Sequence, residues 1–153
     1  MDKWFFDNED KLAELQKEME SWKGTPYKHH IGVKNKGCDC IHFIVNALKP
    51  IGVFHGRNIV IPKYPRDWHL HNGQRLMVEG IKNQMNVEEV DREKPKDGDV
   101  ILYEFGLHEA HGGIYYRGHV LQALNEIGVT SRHYEDPDFF NRMRRCFRFK
   151  AVL

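Results

Sequence analysis

Cys40 has the surroundings that a nucleophilic thiol needs. Asp39 can cap a helix that begins at Cys40, and at a helix N-terminus the pKa of a thiol can fall from about 8.5 to roughly 3.5–7.5. The helix macrodipole favours a thiolate there, and the free N–H groups of the first turn could hold an oxyanion. The expected chemistry is attack on a carbonyl carbon. The alternative is a structural role, because free cysteines on apolar helical stripes are commonly buried and inert.

The other two of the three cysteines have weaker claims to catalysis. Cys38 precedes the helix and lacks its dipole, and Cys146 lies among arginines in a strand-like segment, which indicates burial. A zinc alternative rests on thiols and imidazoles within one short span: Cys38, Cys40 and His42, with His29 and His30 upstream. The spacing lacks the second ligand pair of structural zinc sites, so we expect no metal and no cofactor.

Ten histidines could supply a base for the thiol, and His111 is the strongest candidate. Two glycines follow it in a strand-like run and leave room for another group to approach. If Arg117-Gly118 is a two-residue hairpin turn, Gly113 faces Gln122 on the next strand. His111 and Gln122 are then diagonal neighbours, roughly 7–8 Å apart, so Gln122 could orient the His111 ring. Alone, a strand histidine is more often structural.

Helical periodicity runs through the first part of the chain. Asp7 or Asn8 can cap a first helix, and Gly24 supplies its stop. A second helix continues from Cys40 and ends at Pro50. A third covers Leu76 to Met85, while residues 24–37 and 56–72 are predicted loops. The apolar stripes of the first two helices are Leu12, Leu15, Met19 and Trp22, then Phe43, Ile44, Ala47 and Leu48.

The last third of the chain changes character, because β-branched and aromatic residues fill runs bounded by turn residues. The predicted strands are Asp99 to Phe105, Ala110 to Tyr116, His119 to Asn125, Val129 to Tyr134, and Arg142 to Leu153. Helices followed by strands indicate an α+β fold, with the helices packed on an antiparallel sheet of about five strands. A length of 153 residues fits a single domain, 1–153.

The charge balance excludes some classes of partner. A formal net charge of +1 gives no electrostatic reason to expect nucleic acid or an anionic membrane. The first ten residues lack the basic and apolar regions of a secretory signal, and no segment reaches membrane-spanning length. Cys38 and Cys40 are spaced poorly for a disulfide, so a reducing compartment is expected.

Four motifs, in order and spacing, resemble the NlpC family of papain-like cell-wall peptidases. They are Gly24-Thr25-Pro26-Tyr27, Gly37-Cys38-Asp39-Cys40, Gly98-Asp99-Val100 and His111-Gly112-Gly113-Ile114-Tyr115. The resemblance runs from about Trp22 to Asn125, which is most of the chain. The stretch Tyr64 to His71 also resembles members encoded in phages and prophages.

The resemblance implies a papain-like core and a set of roles. Cys40 would be the nucleophile, His111 the general base, and Gln122 the third polar residue. Tyr27 would line the site, and Asp39 would lie near the substrate. The implied reaction is hydrolysis of an amide bond in a peptidoglycan stem peptide through an acyl-enzyme. The γ-D-glutamyl to diamino-acid bond is the default target.

One departure from the family pattern bears on the substrate. The best-known members follow the catalytic cysteine with Ser-Gly, whereas this chain has Ile41-His42. Two alternatives therefore stay open: an amidase or acyltransferase acting on a small amide or lipid, and a non-enzymatic phage-tail component. Without a recognisable signal peptide, we expect a cytoplasmic location, or one associated with a phage tail or with lysis.

Overall fold

A computed structural model describes residues 3–63, 73–105 and 108–153, apart from the side chains of 73–75 and 108–110. In chain order its elements are α1 (Glu9–Trp22), β1 (Gly32–Val33), β2 (Gly37–Cys38), α2 (Cys40–Leu48), α3 (Gly73–Gln84), β3 (Val87–Val90), β4 (Val100–Phe105), β5 (His108–Tyr116), β6 (His119–Leu124), β7 (Gly128–His133), α4 (Pro137–Phe140) and β8 (Met143–Phe149). Single 3₁₀ turns cover Phe5–Asp7 and Lys49–Ile51. No helix in the described ranges is both long enough and apolar enough to cross a bilayer.

The first two helices begin where the sequence predicts. The side chain of Asn8 accepts a hydrogen bond from the Lys11 N–H and caps α1. Asp39 caps α2 in the same way by accepting from the His42 N–H. Pro50 lies in the 3₁₀ turn that follows α2, and Gly52 closes that turn at a φ of +96°. The third predicted helix is confirmed as α3.

The main sheet is antiparallel and has six strands in the order β3-β8-β4-β5-β6-β7. The predicted α+β class is confirmed, and β4 to β7 form the expected meander. Strand β3 was not predicted, and β8 returns to lie between β3 and β4. The predicted loop before Cys40 contains the small β1-β2 hairpin. The phage-like stretch Tyr64 to His71 lies outside the described residues.

The hairpin between β5 and β6 has the predicted two-residue turn. Tyr116 pairs with His119, and Tyr115 pairs with Val120. Arg117 and Gly118 both have positive φ, +45° and +78°, as a type I′ turn requires. The turn therefore fixes which residues of β5 and β6 share a face of the sheet.

The two faces of the sheet have different coverings. Helices α1 to α3 pack on one face, where the core includes Leu15, Phe43, Leu102, Ile114 and Phe149. The short helix α4 and its flanking segments cover the other face with a smaller cluster: Ile101, Tyr103, Val120, Phe139, Met143 and Cys146. A Cβ on Gly112 would meet Ile44 and Met77 on the helix side, so the neighbouring His111 points to the α4 side.

Candidate active site

Cys40 is the first residue of α2, and its side chain is only 4% exposed. The backbone N–H groups of Gly112, Ile41 and Cys40 hydrogen-bond to the sulfur and lower its pKa. Gly112 also packs closely against its neighbours, because a Cβ there would lie 3.1 Å from side-chain atoms of Ile44 and Leu102. The thiol therefore lies beside the residue that follows His111.

The His111 ring is held by Gln122. The distance from His111 Nε2 to Gln122 Oε1 is 2.6 Å. Because an amide oxygen can only accept, Nε2 carries the proton and Nδ1 keeps a lone pair. Gln122 is fully buried, and its Nε2 has no hydrogen-bond partner among the described residues. Gly113 leaves space for this packing, since a Cβ there would lie 3.2 Å from the Cβ of Gln122.

Three aromatic rings surround His111. The ring centroids of Tyr103, Phe105 and Phe139 lie 5.7, 5.6 and 6.2 Å from the imidazole centroid. Burial lowers the pKa of His111 to about 4, although the bond to Gln122 acts in the opposite direction. The imidazole is therefore neutral at pH 7 and can accept a proton.

The expected lowering of the Cys40 pKa is wrong for this structure. Burial, with a smaller contribution from the carboxylate of Asp39, raises the pKa of the Cys40 thiol to about 12. The three N–H groups at the sulfur lower the pKa but do not outweigh burial. A neutral thiol and a neutral imidazole are therefore the resting forms.

Both carboxylate oxygens of Asp39 make contacts within the protein. Its Oδ1 accepts from the His42 N–H and lies 2.9 Å from His42 Nδ1, and its Oδ2 accepts from the His30 N–H at 2.7 Å. The carboxylate is 2% exposed. Tyr27 is partly buried, and its backbone forms an isolated parallel β-bridge with Cys38 of β2. The two residues that the resemblance assigns to substrate binding thus lie on the loop and cap that lead into α2.

The remaining cysteines and histidines form no second centre among the described residues. Cys38 is buried, and burial raises the pKa of its thiol to about 12. Cys146 is buried and donates to Asp99 Oδ2 at 3.3 Å. Within the same described ranges, no three His, Cys, Asp or Glu side chains converge as a metal ion would require.

The aromatic surroundings of His111 were not predicted from the sequence. Tyr103 pairs directly with His111 across β4 and β5, and a correct alignment of these strands could have found it. Phe139 lies on α4, a helix of four residues that is too short to show a period. Arg142, which stacks on Phe105 at 4.8 Å, was missed for the same lack of a local signal.

Comparison with known proteins identifies a family. Residues 24–148 match the model of the NlpC/P60 family. The chain belongs to the NlpC/P60 family. This NlpC/P60 domain is similar to a solved NLP/P60 protein of Staphylococcus aureus, described as similar to a lipoprotein, with 16% identity and a TM-score of 0.61 over 93% of the chain. A Bacillus cereus family member has 21% identity and a TM-score of 0.61 over 90% of the chain.

A third similar structure is RipB, a peptidoglycan hydrolase of Mycobacterium tuberculosis. It shares 19% identity, with a TM-score of 0.55 over 94% of the chain and 66% of RipB. The NlpC/P60 chain spans only 42% and 40% of the S. aureus and B. cereus proteins. No curated protein sequence matches it. At these identities the solved structures establish the fold that the family membership indicates.

Proposed function

We propose that this NlpC/P60 protein is a cysteine peptidase that hydrolyses an amide bond in peptidoglycan stem peptides. The observation that carries the proposal is that two adjacent residues of β5, His111 and Gly112, provide a held imidazole and a backbone N–H at the Cys40 sulfur. The Gly112 N–H bonds to the sulfur of Cys40, and the adjacent His111 is held by Gln122 at 2.6 Å. Family membership and the peptidoglycan hydrolase RipB support the substrate class.

In the proposed mechanism, Cys40 attacks the carbonyl carbon as its proton passes to His111 Nδ1. In the neutral resting forms Cys40 still holds its proton and His111 Nδ1 has a lone pair that can receive it. The backbone N–H groups near the sulfur would stabilise the oxyanion. Protonated His111 then gives its proton to the leaving amine, and a water molecule hydrolyses the acyl-enzyme.

Gln122, Tyr27 and Asp39 would position the reacting groups without forming or breaking bonds themselves. Gln122 would keep His111 in the tautomer that leaves Nδ1 free to accept. Tyr27 and Asp39 are proposed to shape the substrate-binding side of the cleft. The γ-D-glutamyl to diamino-acid bond is the proposed target.

The decisive test is Cys40→Ala, assayed on purified peptidoglycan and its soluble fragments. We expect turnover to fall at least about a thousandfold, because no other group can form the acyl-enzyme. Mass spectrometry of the new termini identifies the bond. Cys38→Ala is the matched control, since it removes a buried thiol two residues away and should leave turnover per folded molecule unchanged. Undiminished activity in Cys40→Ala would exclude this thiol as the nucleophile.

A second candidate is an amidase or acyltransferase acting on a small amide or lipid. An apolar cavity of about 50 Å³ favours it, lined by Ile41 next to Cys40 and by Ile44, Met77 and Ile81. A cavity of this size accepts a short apolar group. Supplying an acyl donor together with an amine acceptor, and separating transferred from hydrolysed products, distinguishes the two reactions.

A further inference from the structure

Arg142 lies at the end of the sheet that carries His111. In the register of the sheet, Met143 of β8 pairs with Tyr103 of β4, and Tyr103 pairs with His111 of β5. Arg142 directly precedes Met143. Two strand spacings of about 4.8 Å therefore separate its backbone from that of His111, about 10 Å in all.

The position of Arg142 is fixed by its neighbours. Its N–H donates to the Phe139 carbonyl at 2.9 Å, and its own carbonyl accepts from the Glu104 N–H at 2.7 Å. The guanidinium stacks over the ring of Phe105 at 4.8 Å from the centroid. Phe105 in turn lies 5.6 Å from the imidazole of His111. Stacking on an aromatic ring holds the cation near the site while leaving its N–H donors in the plane.

Arg142 also differs from the arginines around it. Three of them have carboxylate partners: Arg132 with Asp136 at 3.3 Å, Arg144 with Glu104 at 2.8 Å, and Arg145 with Glu89 at 2.9 Å. Among the described side chains, Arg142 has no carboxylate within salt-bridge distance, and the residue is exposed. Its charge is thus positioned beside the site without being neutralised by the protein.

We propose that Arg142 binds a carboxylate of the substrate next to the amide that Cys40 attacks. The inference rests on the proposed function and specifies its substrate further. A γ-linked D-glutamyl residue keeps a free α-carboxylate on the same residue whose γ-carbonyl forms the scissile bond, and a guanidinium can bind such a group through two parallel hydrogen bonds. Peptides that carry a carboxamide at that position would lose the charge that Arg142 recognises.

The test uses two synthetic stem peptides that differ only in this group, a free α-carboxylate or its carboxamide. The wild-type chain should cleave the carboxylate peptide with a kcat/KM about 10- to 100-fold higher, which is the range of a charged hydrogen-bonded contact. Arg142→Gln should remove the preference by raising KM for the carboxylate peptide alone. Arg142→Lys should keep part of it, because it retains charge but loses the planar fork.

Arg145→Gln is the matched control, since the same substitution on β8 removes an arginine paired with Glu89. It should keep the full preference. An Arg142→Gln enzyme with an unchanged preference, or a wild type with none, would overturn the inference and leave the proposed function standing. Cleavage of neither peptide by the wild type would overturn both. Thermal unfolding of each variant verifies that the exposed substitution leaves the fold intact.

Discussion

Two buried polar clusters lie at opposite ends of the paired strands β4 and β5, and they are built differently. At one end Asp99 accepts from Arg148 Nε at 2.9 Å, Arg148 Nη2 at 2.8 Å, the Lys96 N–H at 2.8 Å and the Cys146 thiol at 3.3 Å. At the other end His111 has one hydrogen bond to a side chain, and Gln122 keeps a buried N–H₂ without a partner among the described residues.

The difference shows that motifs of one family can have opposite physical roles. Asp99 forms an ion pair with Arg148 and accepts two further hydrogen bonds, from the Lys96 N–H and the Cys146 thiol. His111 is neutral, surrounded by aromatic rings, and able to accept a proton. Polar groups at functional sites are commonly left less satisfied than structural ones. The first cluster should therefore affect stability when it is changed, and the second should affect reactivity.

Arg148→Met should give the largest effect on stability. It removes the partner of a carboxylate that is 1% exposed, and breaking a buried pair in this way costs about 3–5 kcal/mol of unfolding free energy. Urea denaturation measures the loss. Arg145→Met breaks a more exposed pair with Glu89 and should cost less than about 1 kcal/mol. Equal losses of unfolding free energy in the two variants would show that the Asp99 cluster stabilises the fold no more than an exposed ion pair does.

His111→Gln should make stability less sensitive to acid. The pKa of His111 is lowered to about 4 in the folded chain, against about 6.5 when unfolded. The unfolded chain therefore binds more protons, and wild-type stability falls as the pH drops from about 6.5 to about 4. His111→Gln should lose about 2–3 kcal/mol less over this window. Urea denaturation at pH 7 and pH 4 gives the comparison, and parallel losses would contradict the buried neutral imidazole.

Gln122→Met should lower the rate with a smaller change in stability. Methionine fills a similar volume but cannot accept from His111 Nε2, so the ring loses its orientation. We expect kcat to fall about 10- to 100-fold, as for other residues that orient a working side chain, with KM nearly unchanged. Gln122→His, which restores an acceptor, should recover part of kcat. A Gln122→Met enzyme with normal kcat would limit Gln122 to packing.

The parts of the fold that follow from local sequence were predicted well. The caps at Asn8 and Asp39 and the turn at Arg117-Gly118 depend on neighbouring residues, so the sequence contains their signals. The position of β8 depends on pairing with β3 and β4 far away in the chain, which periodicity does not encode. Strand β3 was missed because Val87-Glu88-Glu89-Val90 lies at an edge and lacks the alternation of a half-covered strand.

The candidate site likewise has features that follow from local sequence and features that depend on the tertiary fold. The contact between His111 and Gln122 follows from strand parity and the hairpin turn, and both are local. The sign of the Cys40 pKa shift was wrong because the helix dipole can be seen in the sequence, whereas the depth of burial cannot. Phe139 lies on α4 and Arg142 in the turn that follows it, and the path of α4 across the sheet is a property of the tertiary fold.

The place of β8 in the sheet also has a consequence for biosynthesis. A ribosome releases β4 to β7 before β8, yet β8 lies between β3 and β4. Until it emerges, β4 exposes an unpaired edge and the Asp99 carboxylate has no arginine partner, since Arg148 lies on β8. Such an exposed edge favours association with other nascent chains. The sheet is therefore completed only when β8 enters between β3 and β4.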